Sequence, residues 1–147
     1  MTEQYAPGNG FEPEITVFAC IYCAYMAIDT AGALRVRYPA NIKLVKLPCT
    51  GKTNVRYLLE AFEQGADGVM VSGCHPGDCH YTAGNYHARR RFAGFRDMLE
   101  FCGFDMRRVI FSWVSAAEGK KWADLVNEAV GTIRQLGPFK EFQKLLT

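Results

Sequence analysis

The sequence predicts an open α/β fold: a four-stranded parallel sheet with helices on both faces. Three observations carry this. Apolar runs of strand length alternate four times with longer segments of helical pattern. The first run, ITVFA, is a continuous run apolar but for Thr16, as in a strand covered on both faces. Glycine or proline follows each helical segment, at Pro39, Gly65, Gly103 and Gly137-Pro138, where helices stop.

Taken in order, residues 1–14 form a Pro- and Gly-punctuated arm and residues 15–136 the α/β domain. Ile15 to Ala19 is the first strand, followed by a helix from Tyr22 to Tyr38 that Pro39 closes. Ile42 to Leu47 (IKLVKL) is the second strand, and its two lysines give it an edge or a half-exposed face. Asn54 caps a helix running to Gln64. Gly68 to Ser72 is the third strand, and Tyr86 to Cys102 a long helix ended by Gly103. Val109 to Val114 is the fourth strand, and Ala117 to Leu136 the last long helix. Residues 137–147 are a short amphipathic tail. Its stripe of Phe139, Phe142, Leu145 and Leu146 either packs on the domain or inserts into a neighbouring subunit. The strand–helix order is that of a flavodoxin- or Rossmann-like open sheet, where ligands bind beyond the carboxyl ends of the strands.

Composition excludes several classes. The 147 residues fit one domain, and 49% hydrophobic with 22% charged content is ordinary for a globular chain. A net charge of +2 without aromatic residues interleaved in a basic groove gives no case for nucleic acid. No apolar run has membrane-spanning length, so no membrane partner is expected. MTEQYAPGNGFEPE has neither the basic region nor the apolar stretch of a signal peptide. Six cysteines in a chain read as cytoplasmic then point to metal or redox chemistry, because disulfides are rare there.

The cysteines are the chemical signal. Cys20 and Cys23 lie in FACIYC, Cys49 in KLPCTGK, and Cys74 and Cys79 in VSGCHPGDCH. Cys20, Cys49 and Cys74 each end a predicted strand, so they meet in space although 25 and 24 residues separate the three groups. Cys23 in the first helical turn and Cys79 in the following loop reach the same point. Thiolates gathered this way need an electrophile to share them, and a metal or an iron–sulfur cluster supplies it. Gly73, Pro76 and Gly77 fit a tight loop whose bare amides bond to sulfur. A structural zinc site, with His75 and His80 as substitute ligands, is the rival. It would make the chain an adaptor holding redox enzymes together. A thioredoxin-like Cys20/Cys23 dithiol leaves Cys49, Cys74 and Cys79 unexplained. Cys102, on a helix beside Phe95, Met98 and Phe101, reads as a packing residue.

Other motifs carry less. PCTGKT imitates a phosphate-binding loop but has Lys46 where the motif needs glycine. His75, His80 and His87 surround the cysteine loop, in hydrogen-bonding more than ligating roles. Arg89, Arg90, Arg91, Arg96, Arg107 and Arg108 read as a solvated face or, alternatively, a dock for an acidic partner.

The segments CIYCAYMAIDTAG, RYPANIKLVKLPCTGK, LLEAFEQGADGVMVSG and GCHPGDCHYTAGNYHARRR resemble the delta, or D, subunit of methyl-viologen-reducing hydrogenase from methanogenic archaea. The resemblance spans Pro13 to Gln135 and includes a domain fused to some heterodisulfide reductase A subunits. It implies one 2Fe-2S cluster, held by four of Cys20, Cys23, Cys49, Cys74 and Cys79. It also implies a role in methanogenesis without a substrate-converting site. Electrons would pass from a hydrogenase small subunit or a formate dehydrogenase beta subunit to the flavin carried by the A subunit of heterodisulfide reductase. That flavin bifurcates them between the CoM-S-S-CoB heterodisulfide and ferredoxin. Many relatives have Trp where this chain has Tyr22, which keeps an aromatic shield.

Overall fold

The computed structural model describes residues 10–140. Among these, four strands run parallel in the order β2-β1-β3-β4, with β1 at Ile15–Cys20, β2 at Ile42–Leu47, β3 at Gly68–Gly73 and β4 at Val109–Trp113. The helices are α1 (Ala24–Ala33), α2 (Val55–Glu63), α3 (Gly84–Phe101) and α4 (Gly119–Leu136). Strand alternation divides the core. Ile15, Val17, Ala19 and Met70 face α1 and α4, around a fully buried Trp122. Phe18, Val69 and Val71 face α2 and α3, against Leu58, Phe62, Phe92 and Phe95. The sheet is therefore doubly wound, and strand order reverses between the neighbours β1 and β3.

The lysine-bearing strand β2 is an edge, with Leu44 and Val45 partly exposed. Lys43 pairs with Glu14, and Lys46 sits over the Tyr25 ring. Asn54 caps α2 as the sequence predicts, its side chain accepting from the Arg56 amide.

Several element bounds differ from the sequence reading, among them those of α1, α3 and α4. The first helix ends at Ala33, not Tyr38. Arg35 takes a left-handed φ of 56°, and beyond it Val36 and Tyr38 turn alternately onto the core while Arg35 and Arg37 face water. That is a period of two, which a helix cannot follow. Helix α3 begins at Gly84, earlier than Tyr86. Helix α4 begins at Gly119, because the Glu118 carboxylate accepts the Ser115 amide and folds 115–118 into a turn.

At the amino edge of the sheet, the Asp67 carboxylate accepts the amides of Glu14 and Phe139. Arg108 is buried, donating to the carbonyls of Asp67 and Gly137, so it is no part of a solvated face. Phe139 packs on Phe62 and Phe104, which seats the start of the tail on its own domain. Phe142, Leu145 and Leu146 lie outside the described residues, as do residues 1–9 of the arm. Among the described residues, no helix is long and apolar enough to cross a membrane.

Candidate metal centre

Parallel pairing delivers the thiols to one edge. Cys20 closes β1 and Cys74 follows β3, its neighbour in the sheet. Both are buried, at 2% and 1% exposure, and their Sγ atoms lie 3.6 Å apart. Cys23, at the N-cap of α1, joins them, and the three sulfurs fall within 4.8 Å of one another. Cys49 follows β2 and opens a 3-10 turn over Thr50–Lys52, its sulfur accepting the Gly51 amide at 3.3 Å. Cys79, in the loop between β3 and α3, lies 3.8 Å from Cys49, sulfur to sulfur. All five cysteines of the sequence reading thus gather at the carboxyl edge, in two close pairs with Cys23 beside the first. All six cysteines are free thiols.

The thiols differ electrostatically. Burial pushes Cys74 far above the ordinary thiol range, and the neighbouring Cys23 and Cys20 add to it. Burial likewise raises Cys23 and Cys49. For Cys79 burial also acts upward, but the amides of Asn85, Tyr81 and Gly84, with the Cys49 thiol, outweigh it and hold the group below its usual value. The raised thiols, Cys23, Cys49 and Cys74, favour their protonated form, and a metal would have to displace those protons. The donor chemistry fits a thiolate-bound metal or iron–sulfur group: sulfur throughout, with amides aimed at sulfur.

The Gly51 amide donates to Cys49 and those of Tyr81, Gly84 and Asn85 act on Cys79, while Gly77 turns the loop with φ of 88°. The start of α3 approaches the sulfurs so closely that only glycine fits at residue 84, where a Cβ would overlap Cys49 Sγ.

Asn85 escaped the sequence reading. It is fully buried, and its side-chain amide donates to the carbonyls of Cys74 (3.0 Å) and His75 (2.9 Å). The signal was present: Asn85 begins the buried stripe that continues at Ala88, Phe92, Phe95 and Leu99. A polar residue heading such a stripe calls for buried partners.

Among the described residues, the group of possible ligands within 4.8 Å is made of cysteines and contains no histidine. His75 Nε2 donates to Glu118 Oε1. The Ser115 amide, with His75, holds the Glu118 carboxyl at about 2. The His80 ring stacks on Tyr22 at 3.9 Å, and Tyr81 meets both edge-on. Because Tyr22 lies between Cys20 and Cys23 and His80 follows Cys79, this stack joins two cysteine loops.

Two expectations are corrected here. Cys102 is exposed, since α3 ends at Phe101 and Gly103 turns away with φ of 87°, leaving Phe101 itself 93% exposed. Arg91 is not merely solvated. Its guanidinium donates to the carbonyls of Gly51 and Thr53 and ties the Cys49 turn to α3. Arg89 lies over the Phe111 ring, 5.8 Å from its centroid.

Fold and site together define a doubly wound α/β protein with a cysteine cradle able to hold a metal at its sheet edge. The chain belongs to the family described as methyl-viologen-reducing hydrogenase, delta subunit, whose sequence profile matches residues 15–137. It is 48% identical over 130 residues to the iron-sulfur D subunit of the F420-non-reducing hydrogenase of Archaeoglobus profundus, covering 88% of this chain and 95% of that protein. It is 44% identical to the iron-sulfur D subunit of the vhc F420-non-reducing hydrogenase of Methanococcus voltae, over 88% of this chain and 90% of that one. A third relative is the A subunit of the ferredoxin/F420H2-dependent CoB-CoM heterodisulfide reductase of Methanosarcina acetivorans. There 90% of this chain matches at 38% identity, but only 17% of the longer protein is covered.

Proposed function

We propose that this chain is an electron-transfer subunit carrying one 2Fe-2S cluster, held by Cys20 and Cys74 on one iron and Cys49 and Cys79 on the other. The observation that carries this is the spacing of the two thiol pairs, 3.6 and 3.8 Å. Two thiolates at about 2.3 Å from one tetrahedral metal stand about 3.8 Å apart, so each pair has the spacing of two ligands on one iron. Cys23 is then the fifth thiol, beside the ligands of the first iron. Such a cluster, when bound, exchanges one electron at a time.

The chain's own residues do the rest. The amides of Gly51, Tyr81, Gly84 and Asn85 supply the N–H groups that moderate sulfur charge. The Tyr22–His80 stack and Tyr81 limit water at the edge. Electrons would enter from a hydrogenase small subunit or a formate dehydrogenase beta subunit. They would leave to the flavin of the heterodisulfide reductase A subunit, in the cytoplasm. Relatives named as hydrogenase D subunits support the first partner. Occurrence of the same domain inside the longer heterodisulfide reductase protein supports the second. In this reading the chain works only within an oxidoreductase complex whose flavin performs bifurcation.

A second reading, a zinc-stabilised adaptor, draws on the group of Cys20, Cys23 and Cys74 within 4.8 Å. Visible absorption and EPR on anaerobically purified protein, before and after dithionite, separate the two. A brown protein, silent when oxidised and giving a one-electron rhombic signal when reduced, supports the relay. A colourless protein with one zinc per chain overturns it. Within the relay reading, Cys23→Ser keeps the reduced signal and Cys20→Ser loses it.

A further inference from the structure

A buried polar group beside the thiols is left unsatisfied by the described residues. Thr50 is 1% exposed, and its Oγ1 is fully enclosed without a hydrogen-bond partner among them. A threonine in a helical turn commonly bonds back to a carbonyl three or four residues earlier. Here the carbonyl three residues back, Leu47 O, instead receives the Ile21 amide at 2.9 Å. Its surroundings indicate where the hydroxyl belongs. Thr50 directly follows Cys49 and is the first residue of the turn whose Gly51 amide donates to the Cys49 sulfur. Its side chain lies against Gly73, where a Cβ would stand 2.9 Å from Oγ1, and Gly73 directly precedes Cys74. The hydroxyl is thus wedged between the backbone segments that carry one cysteine from each pair.

A buried hydroxyl left without a partner is costly, and valine would fill the same volume without that cost. Packing alone therefore does not account for threonine at this position. We propose that the Thr50 hydroxyl donates a hydrogen bond to sulfur of the group that the cysteines hold, and so sets that group's potential. This rests on the iron–sulfur reading. Reduction adds negative charge to the cluster, and a donor aimed at sulfur favours the more negative state. Thr50 thereby raises the potential, and its loss lowers it.

The test uses the cluster-loaded full chain and three variants, Thr50→Val, Thr50→Ala and Thr50→Ser. Redox titration of the EPR signal is expected to show a negative shift in Thr50→Val and Thr50→Ala. The reduced-to-oxidised ratio at fixed poise falls roughly tenfold, which for one electron is about 59 mV. Thr50→Ser stays near the wild type. Pulsed EPR after exchange into D2O loses one exchangeable coupling in Val and Ala and keeps it in Ser. Failure of Val and Ala to take up the cluster, with uptake retained by Ser, is a stronger form of the same result. An unchanged potential and exchange pattern in Val or Ala overturns the proposal. Equal shifts, or equal loss of cluster, in Ser and Val do so too, because then shape and not the hydroxyl matters. A colourless wild-type protein overturns the cluster reading itself, so the two failures are distinct.

Discussion

Gly84 and Cys49 are in direct contact, and no methyl group fits between the start of α3 and the Cys49 sulfur. The same Cβ would also stand 3.4 Å from the Cys79 sulfur. One position in a helix therefore gauges the space for a pair of thiols that come from two different loops.

Gly84→Ala should accordingly damage the site more than the fold. Overpacking of this kind costs about 1–3 kcal/mol. The Cys49 side chain is expected to absorb the displacement by leaving its position opposite Cys79. Iron and sulfide per chain should fall to a minor fraction, with the far-UV circular dichroism unchanged. Full iron content in the variant would contradict the contact.

Cys74→Ser and Cys79→Ser should each abolish or destabilise the cluster and stop electron flow, whereas Cys102→Ser should leave both intact. Cys102 is exposed at the end of α3, and surface substitutions usually stay within about 0.5 kcal/mol. Absorption spectra and electron transfer to the partner flavoprotein provide the readout. Full transfer in a Cys74→Ser, Cys79→Ser double variant would end the relay reading.

Asn85→Ala removes the donor to the carbonyls of Cys74 and His75. Each buried acceptor left unsatisfied costs about 1–3 kcal/mol. The variant should unfold at clearly lower denaturant, and Asn85→Asp, similar in shape but without the side-chain donor, should share the loss. Wild-type midpoints in both variants would show that the two carbonyls need no partner.

Acid should weaken the fold through Asp105, far from the thiols. The Arg107 side chain, and then its amide, hold the Asp105 carboxyl at about 2, below its ordinary 3.8. A depressed carboxyl stabilises the fold fully above its ordinary value and loses that contribution as pH falls through the folded value. The thermal midpoint of the wild type should thus exceed that of Asp105→Asn at neutral pH. The gap should narrow below about 3.8 and close near 2. A gap independent of pH would exclude ionisation as its origin.

Much of this was legible in the sequence, for physical reasons that differ by residue. Strand length and apolar continuity define β1 and β3, because a strand covered on both faces has no polar alternation to confuse it. The lysines of IKLVKL mark the edge. Meeting of Cys20, Cys49 and Cys74 follows from parallel strands, while Cys23 and Cys79 are brought in by the helix and the loop that come next. What escaped was set by tertiary contact. Val36 and Tyr38 lie in a helix-like composition but are pulled extended onto the core. Arg91 and Arg108 belong to charge runs, yet each finds backbone carbonyls that no local pattern reveals. Cys102 has an apolar helical context, but the helix ends one residue short of it. Asn85 was hidden because its partners belong to a loop 10 and 11 residues earlier in the chain.

The two sulfur pairs interleave along the chain. Cys20 meets Cys74 across 54 residues, and Cys49 meets Cys79 across 30, with each span beginning or ending inside the other. A group that bridges both pairs therefore acts as an interlocking clasp on β1, β2 and β3. None of these strands peels away alone while it is closed, since each is anchored at its end to a loop from another. Loss of such a group would therefore free the carboxyl ends of all three strands at once.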